Sequence, residues 1–293
     1  MSGLESASRN DRSWRPFKLA LTAPGTAVTF LLILFTLALL VVLAFRVNDA
    51  SLFGAGFTFD NFITVVSDPL YGLVILRSLV IAGLVTLATV VTAYPVAYYL
   101  SFHAGTRRAL ILFLVTLPFW TSYLLRVFAW KIVLAYNGVL NSALLISGLR
   151  ATPSTAFLNT PAAVVLTLAH AYAPFAILPI LVSLDTIPRS LTEAAADLGA
   201  RPFTVFRRII LPNSMPGVLA GAVVVFVPTV GDYVTPALVG GPSSTMIGTL
   251  IEAQFGKAQD WPFGSALAIV VMLVILVVIV AVRLADRRFG SRA

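Results

Sequence analysis

Residues 23–45 read APGTAVTFLLILFTLALLVVLAF, an apolar run without a single charged side chain. A helix crosses the hydrocarbon core of a bilayer with about 20 apolar residues, so this run is long enough to span it. The run is also longer than the core of a cleaved signal peptide, and no small-x-small cleavage site follows it. We therefore expect it to remain in the protein as the first membrane span.

The composition of the whole chain agrees with a membrane protein. Of the 293 residues, 59% are hydrophobic and 11% are charged, and the mean hydropathy is +0.96. A soluble domain carries about a quarter charged residues, and a disordered chain combines low hydrophobicity with high charge, so both classes are excluded. No cysteine is present, which excludes disulfides and thiolate metal sites. The sequence predicts an all-α polytopic membrane protein.

Six stretches are long and apolar enough to span the bilayer. They are residues 23–45, 76–100, 109–125 (extendable to 135), 162–184, 218–239 and 264–284. Prolines interrupt several of them, and membrane helices tolerate proline where neighbouring helices or a watery cavity satisfy the freed carbonyl groups. Two shorter apolar patches, 57–66 and 139–149, are interpreted as helices lying at the membrane surface.

Lysine and arginine residues predict the orientation. Fourteen of the twenty fall on one side: near the N-terminus, around residue 107, in the loop 185–213 and near the C-terminus. The positive-inside rule makes this side cytoplasmic, so both termini are expected inside the cell. We divide the chain into a cytoplasmic segment 1–20, a transmembrane domain 21–286 that includes the cytoplasmic loop 185–213, and a cytoplasmic tail 287–293.

The first half of the loop 185–213 predicts a short capped helix. Residues 188–200 read PRSLTEAAADLGA. Ser190 and Glu193 have the spacing of a capping box, in which each side chain bonds a backbone amide at the start of a helix. The alanines between them and Gly199 are strong helix formers, and Gly199 stands where a left-handed residue closes a helix.

The second half of the loop predicts another helix, and the two together suggest a docking surface. Pro202 suits the first turn of a helix, which we expect to end before Pro212. Its apolar stripe comprises Phe203, Phe206 and Ile210. The alternative is an ordinary connection between two spans, but such connections are usually short. A surface that binds a cytoplasmic partner explains the ordered residues better.

The loop also carries a motif that resembles one family. The loop matches the EAA motif of ABC-importer permeases. The matching positions are Glu193-Ala194-Ala195, then Gly199 after three residues, Ile209 after nine more, and Leu211-Pro212 after one more. Two further stretches, LPFWTSYLLR at 117–126 and GDYVTPALVGGP at 231–242, look like the spermidine/putrescine branch of that family. The resemblance covers nearly the whole chain from Trp14 onward.

This resemblance implies the type I importer (MetI-like) permease fold with six transmembrane helices in a bacterial inner membrane. In that family the loop forms a coupling helix that seats in a groove of a cytoplasmic ATPase. Carried over residue by residue, the coupling role falls on Glu193, Ala194, Ala195, Asp197, Leu198, Gly199, Arg201 and Pro202.

The resemblance also implies the partners. These are a second permease subunit, expected to be a distinct homologue although a second copy is the alternative, two copies of the ATPase, and an extracytoplasmic binding protein. ATP and Mg²⁺ are expected on the ATPase, so this chain should bind no cofactor, catalyse no reaction and contact no nucleic acid. The solute is expected to be small and polar, a polyamine or a related amine.

Asp232 is the candidate for substrate contact inside a span. An ionisable group within the membrane is costly and points to function, and the prolines and glycine around it predict a broken helix. Its carboxylate is suited to hold an ammonium group. The alternatives are an ion pair with Arg126 or Lys131, or a cap for the helix that restarts beyond it.

Aromatic residues complete the expected substrate path. Trp120 and Tyr123 stand three residues apart on one helix face and offer π-faces to a cation, although an interfacial aromatic belt is the alternative; Tyr233 follows Asp232. The chain has two histidines, no His-Glu-x-x-His pair and no Gly-x-x-x-x-Gly-Lys loop, so no metal or ATP site is expected. The competing function is a channel or secondary transporter driven by an ion gradient; a membrane-embedded enzyme would need clustered His, Asp or Ser.

Overall fold

The computed structural model describes residues 3–48 and 56–290, with side chains from Pro24 to Asn48 and from Gly56 to Leu284. Within these ranges the chain is almost entirely helical. The helices are α1 (Gly3–Ala44), α2 (Asp60–Ser67), α3 (Pro69–Phe102), α4 (Arg108–Thr116), α5 (Tyr123–Leu134), α6 (Val139–Ile146), α7 (Pro161–Asp185), α8 (Arg189–Asp197), α9 (Pro202–Val205), α10 (Leu211–Val230), α11 (Val234–Val239), α12 (Ile247–Ala253) and α13 (Trp261–Gly290).

Six segments of the described chain have the length and apolar composition to cross a membrane, which confirms the predicted number of spans. They are Pro24–Ala44, Pro69–Phe102, Tyr123–Ile146, Pro161–Asp185, Pro202–Val230 and Trp261–Leu284. The second begins earlier than predicted because Asp68 caps it: its carboxylate accepts the Leu70 amide at 2.8 Å.

The predicted bounds of the third span, 109–125, are wrong. α4 gives way to a 3₁₀ turn over Leu117–Trp120, Thr121 is extended, and α5 starts only at Tyr123. Pro118 explains the interruption, since proline has no amide hydrogen and its ring clashes with the carbonyl four residues earlier. The segment with spanning length is Tyr123–Ile146, so α6, predicted as a surface helix, belongs to it.

The fifth span also differs from its prediction. α9 continues through a π turn, Phe206–Ile210, directly into α10, so the expected end before Pro212 is wrong. Pro212 has no amide hydrogen, so it interrupts the backbone hydrogen bonding of this continuous helix. The wider π turn before it makes room for the proline ring. At the other end α10 stops at Val230, and α11 forms the remainder of the predicted span.

The centre of the fold is the unit formed by α3, α7 and α10, which pack against one another. A β carbon placed on Gly217 of α10 would lie 2.3 Å from the β carbon of Ser183 in α7, so glycine permits this close approach. The Tyr94 hydroxyl of α3 lies 2.8 Å from the Ser214 hydroxyl of α10 and adds a polar contact. Fully buried side chains fill the unit, among them Val85, Leu168 and Val225.

A second apolar cluster joins α13 to α2, α3 and α12. α2 corresponds to the predicted surface helix 57–66, and it packs through the buried Val65. α1 contacts α13, and most of its side chains from Pro24 to Val42 are exposed, as suits a helix that faces lipid or another subunit.

The predicted segment 1–20 and tail 287–293 fall entirely outside the described side chains. The backbone of α1 continues from Gly3, and that of α13 ends at Gly290. Several residues that support the predicted orientation therefore lie outside the described side chains: Arg9, Arg12, Arg15, Lys18, Arg287, Arg288 and Arg292.

Candidate functional site

α8 forms the centre of the predicted docking loop, but its start differs from the prediction. Pro188 occupies the N-cap position, and no side chain of the described residues caps it, so the capping box of Ser190 with Glu193 is wrong. The Leu191 amide donates to the Pro188 carbonyl at 3.1 Å and closes the first turn. Because the proline ring already restricts the backbone, the helix begins before Ser190, which lies inside it.

The end of α8 agrees with the prediction. Gly199 has φ = +78°, the left-handed region. The amides of Gly199 and Ala200 donate to the carbonyls of Ala196 and Ala195 at 2.8 and 3.0 Å, the two bonds of a Schellman motif. A β carbon at Gly199 would meet nothing within 4 Å, so backbone conformation, not space, favours glycine there.

The surface around α8 is exposed and partly apolar. Leu198 is 89% exposed and Phe203 is 71% exposed, with Leu191 exposed as well. Leu191 was not among the predicted residues, and Phe203 does not share a face with Ile210, because Ile210 is buried. Exposed apolar side chains on a polar loop are the signal of a contact surface. Of the eight predicted coupling residues, all but Ala195 are exposed.

Polar contacts tie this loop to the ends of neighbouring helices. The Asp185 carboxylate at the end of α7 accepts the Ser101 hydroxyl at 2.8 Å and pairs with the Arg108 guanidinium. The Arg189 guanidinium at the start of α8 donates to the Ser101 carbonyl at 3.2 Å. None of these four residues was predicted to make a contact, and the two arginines served only to predict the orientation.

The predicted break around Asp232 is present. α10 ends at Val230 and α11 begins at Val234, and Asp232 between them is only 8% exposed. One carboxylate oxygen accepts the Val234 amide at 3.1 Å, and the other accepts the Tyr123 hydroxyl at 2.6 Å. The same hydroxyl lies 2.6 Å from the hydroxyl of Thr235. Asp232, which precedes the N-cap residue Tyr233, thus accepts the first amide of α11 and in this way caps the helix and ties it to α5.

Arg126, one of the two basic residues considered as partners of Asp232, makes its contacts elsewhere. Arg126 donates to the Ala171 carbonyl at 3.0 Å and lies 5.9 Å from the Tyr123 ring. Among the described residues Asp232 forms no ion pair. Of the alternatives considered for it, the helix cap is therefore observed, and the pair with Arg126 or Lys131 is not. A carboxylate held by neutral donors retains its capacity to attract a cation.

The other predicted path residues differ in exposure. Trp120 is 79% exposed, and Tyr233 is exposed beside the break, whereas Tyr123 is half-buried against Asp232. Thr235, which the sequence analysis did not single out, joins this contact because it follows Asp232 by three residues across the start of α11. Within the described ranges no group of three or more His, Asp or Glu is arranged to hold a metal ion.

Comparisons with known proteins agree with these features. The profile of a family described as binding-protein-dependent transport system inner membrane component matches residues 28–291. The chain is 41% identical over 245 residues to the spermidine/putrescine transport system permease protein PotB of Escherichia coli (strain K12), covering 82% of this chain and 88% of that protein. It is 36% identical over 114 residues to the permease protein PotC of the same system and organism, covering 39% and 43%.

Solved structures share the fold. A chain of a bacterial alginate ABC transporter, in complex with an alginate pentasaccharide-bound periplasmic protein, superposes with a TM-score of 0.72. The alignment covers 95% of this chain and 98% of that one at 20% sequence identity. This likeness supports the architecture of the membrane domain.

Proposed function

The chain belongs to the family of binding-protein-dependent transport system inner membrane components and is the permease subunit of an ABC importer, and we propose that its solute is a polyamine. The predicted resemblance to ABC-importer permeases is confirmed. PotB, to which 82% of the chain aligns, is named for spermidine and putrescine. Alkyl amines of this kind are cations near neutral pH, as lysine is. The Asp232 carboxylate suits such a solute.

The proposed coupling to an ATPase is carried by one observation, the exposed and glycine-closed α8. A nine-residue helix held outside the spans, with Leu198 projecting almost fully into solvent, offers a compact apolar contact. We assign the ATPase contact to the eight residues predicted from the EAA motif, together with Leu191 and Phe203. ATP and Mg²⁺ then act on the ATPase, and this chain receives its movement.

We place the solute path beside the break between α10 and α11. Exposed Trp120 and Tyr233 offer aromatic faces to a passing cation. The Tyr123 hydroxyl donates to one oxygen of Asp232, and an ammonium group that replaced it would add the attraction of an opposite charge to that hydrogen bond. In this proposal Asp232 holds the solute only after Tyr123 has turned away.

The complete importer, in this proposal, contains a second permease, two ATPase subunits and an extracytoplasmic binding protein. PotC is a permease protein distinct from PotB, and its partial similarity to this chain favours a distinct second permease. We also propose that α8 and both termini lie in the cytoplasm of a bacterial cell. Four arginines lie at helix ends on the same side of the spans as α8, in keeping with the positive-inside rule: Arg107, Arg108, Arg189 and Arg201.

Charge reversal on α8 tests the coupling. In the assembled importer, Glu193→Arg should leave the permease in the membrane but abolish both ATPase co-purification and solute uptake, because the exposed carboxylate lies in the proposed contact. Arg150→Glu, an exposed reversal outside the loop 185–213, should retain the ATPase. Normal uptake and normal co-purification by Glu193→Arg would refute the assignment of α8.

Reconstitution tests the solute and the energy source. Proteoliposomes that contain the full importer, its binding protein and internal ATP should accumulate labelled spermidine or putrescine, and omission of ATP should stop accumulation. Accumulation by this chain alone, driven by an ion gradient, would instead establish the competing secondary transporter. ATP-dependent uptake of other solutes without uptake of either amine would retain the importer and reject the polyamine.

A further inference from the structure

Four residues form a polar junction between helix ends, which we call the loop-end clamp: Ser101, Arg108, Asp185 and Arg189. Asp185 accepts the Ser101 hydroxyl at 2.8 Å, accepts one Arg108 nitrogen at 3.2 Å and pairs with the other. Arg189 donates to the Ser101 carbonyl at 3.2 Å. The clamp therefore joins the end of α3, the start of α4, the end of α7 and the start of α8.

The charges of the clamp are placed against the preference of their own helices. A helix favours negative charge at its N-terminus and positive charge at its C-terminus. Asp185 is the last residue of α7, whereas Arg108 and Arg189 are the first residues of α4 and α8. Each charge is unfavourable at its own helix terminus, whereas the two arginines are favourable at the C-terminal ends of α7 and α3 that they contact. Their positions are explained by the contacts between helices.

Stability is a weak explanation for the clamp. The side chains of Arg108 and Asp185 are 41% and 31% exposed, and exposed ion pairs contribute about 0–1 kcal/mol to folding. The forked pairing, with two guanidinium nitrogens on two carboxylate oxygens, instead fixes distance and direction. Such a contact is suited to transmit displacement between elements.

The clamp attaches α8 to α3, a long helix with Pro95 in its interior that reaches the proposed solute site. α3 is a single 34-residue helix, and about 35 Å separate Ser101 from Ser78 at 1.5 Å per residue. At that distant end the Ser78 hydroxyl accepts the Ile247 amide at 2.7 Å, so α3 holds the start of α12. Gly248 of α12 lies against the break itself: a β carbon there would be 2.4 Å from the Gly231 carbonyl oxygen.

We propose that the loop-end clamp and α3 carry the movement of α8 to the break at residues 231–233. Arg108, Asp185 and Arg189 are positioning residues in this inference: they contact neither solute nor nucleotide, and they act through Ser101 and α3. The inference rests on the proposed coupling to an ATPase. It adds the prediction that a permease variant can bind an ATPase that hydrolyses ATP and still fail to transport the solute.

Reversal and exchange of one charge pair test the proposal in the assembled importer. Asp185→Arg and Arg108→Asp should each retain the ATPase and its hydrolysis but lower uptake per ATP by about five-fold or more, the range of typical coupling free energies. The double variant, which restores opposite charges, should recover most of that loss. Asp185→Asn, similar in shape, should also lower uptake per ATP and replaces any reversal that fails to assemble.

The outcomes separate this inference from the proposed function. Glu193→Arg should lose the ATPase, whereas the clamp variants should keep it. Retention of the ATPase by Glu193→Arg would count against the docking assignment, on which the clamp inference rests. The clamp inference is overturned if the single variants couple uptake to ATP as the unmodified permease does. It is also overturned if they lose the ATPase, or if the double variant is as impaired as either single one.

Discussion

Gly199 offers a direct test of whether the shape of α8 controls ATPase binding. Its φ of +78° is costly for any residue with a β carbon, by about 1–2 kcal/mol for alanine. No steric term is added within this chain, because a β carbon at this position would meet nothing within 4 Å. The free-energy cost of Gly199→Ala is therefore entirely a destabilisation of the Schellman motif that closes α8.

The structure gives the size of the expected effect. α8 has nine residues, and helices of this length have little stability of their own, so the cost is not absorbed by a stable helix. When the closed form of α8 is less populated than its open form, a penalty of about 1–2 kcal/mol lowers the population of the closed form by about 5- to 30-fold. The apparent Kd for the ATPase rises by the same factor.

The assay is a titration of labelled ATPase onto permease complexes in lipid nanodiscs. Gly199→Asn is the matched control, because asparagine adopts the left-handed conformation more readily than alanine. We expect Gly199→Asn to bind more tightly than Gly199→Ala despite its larger side chain. The reverse order would show that side-chain size in the ATPase groove controls affinity, and equal affinities for all three proteins would refute a role for the cap.

Two further predictions concern packing and the solute path. Gly217→Ala should lower the thermal unfolding temperature of the permease in detergent, because its β carbon would lie 2.3 Å from that of Ser183. The expected cost of this overpacking in unfolding free energy is about 1–3 kcal/mol. Gly83→Ala serves as the control and should be neutral or stabilising, because its β carbon would meet nothing within 4 Å. Asp232→Asn keeps the cap of α11 but removes the charge, so polyamine uptake should fall with ATPase binding intact, whereas Tyr123→Phe removes the hydroxyl that occupies the carboxylate and should retain uptake. Unchanged uptake by Asp232→Asn would exclude its charge from the path.

Features that depend on local backbone chemistry were predictable from the sequence. Apolar length alone identifies six spans, because every buried peptide group in a bilayer needs a partner that a helix supplies. The closure of α8 at Gly199 and the break around Asp232 follow from glycine and proline, whose conformational limits act within a few residues. The same reasoning misplaced the start of α8, since Pro188 outweighed Ser190 as a cap.

Contacts between distant segments were decided by the packing of the helices. Tyr123 meets Asp232 across 109 positions of sequence, and Arg108 meets Asp185 across 77. Either carboxylate had several basic or hydroxyl side chains as conceivable partners, and hydropathy says nothing about which one faces it. The sequence by itself determined the number of spans, the family motif and the closure of α8 at Gly199. Only the tertiary structure decided that Asp232 accepts a hydrogen bond from Tyr123 and that Arg189 of α8 binds the end of α3. The reason is that the rotation and depth of each helix are set by the helices packed around it.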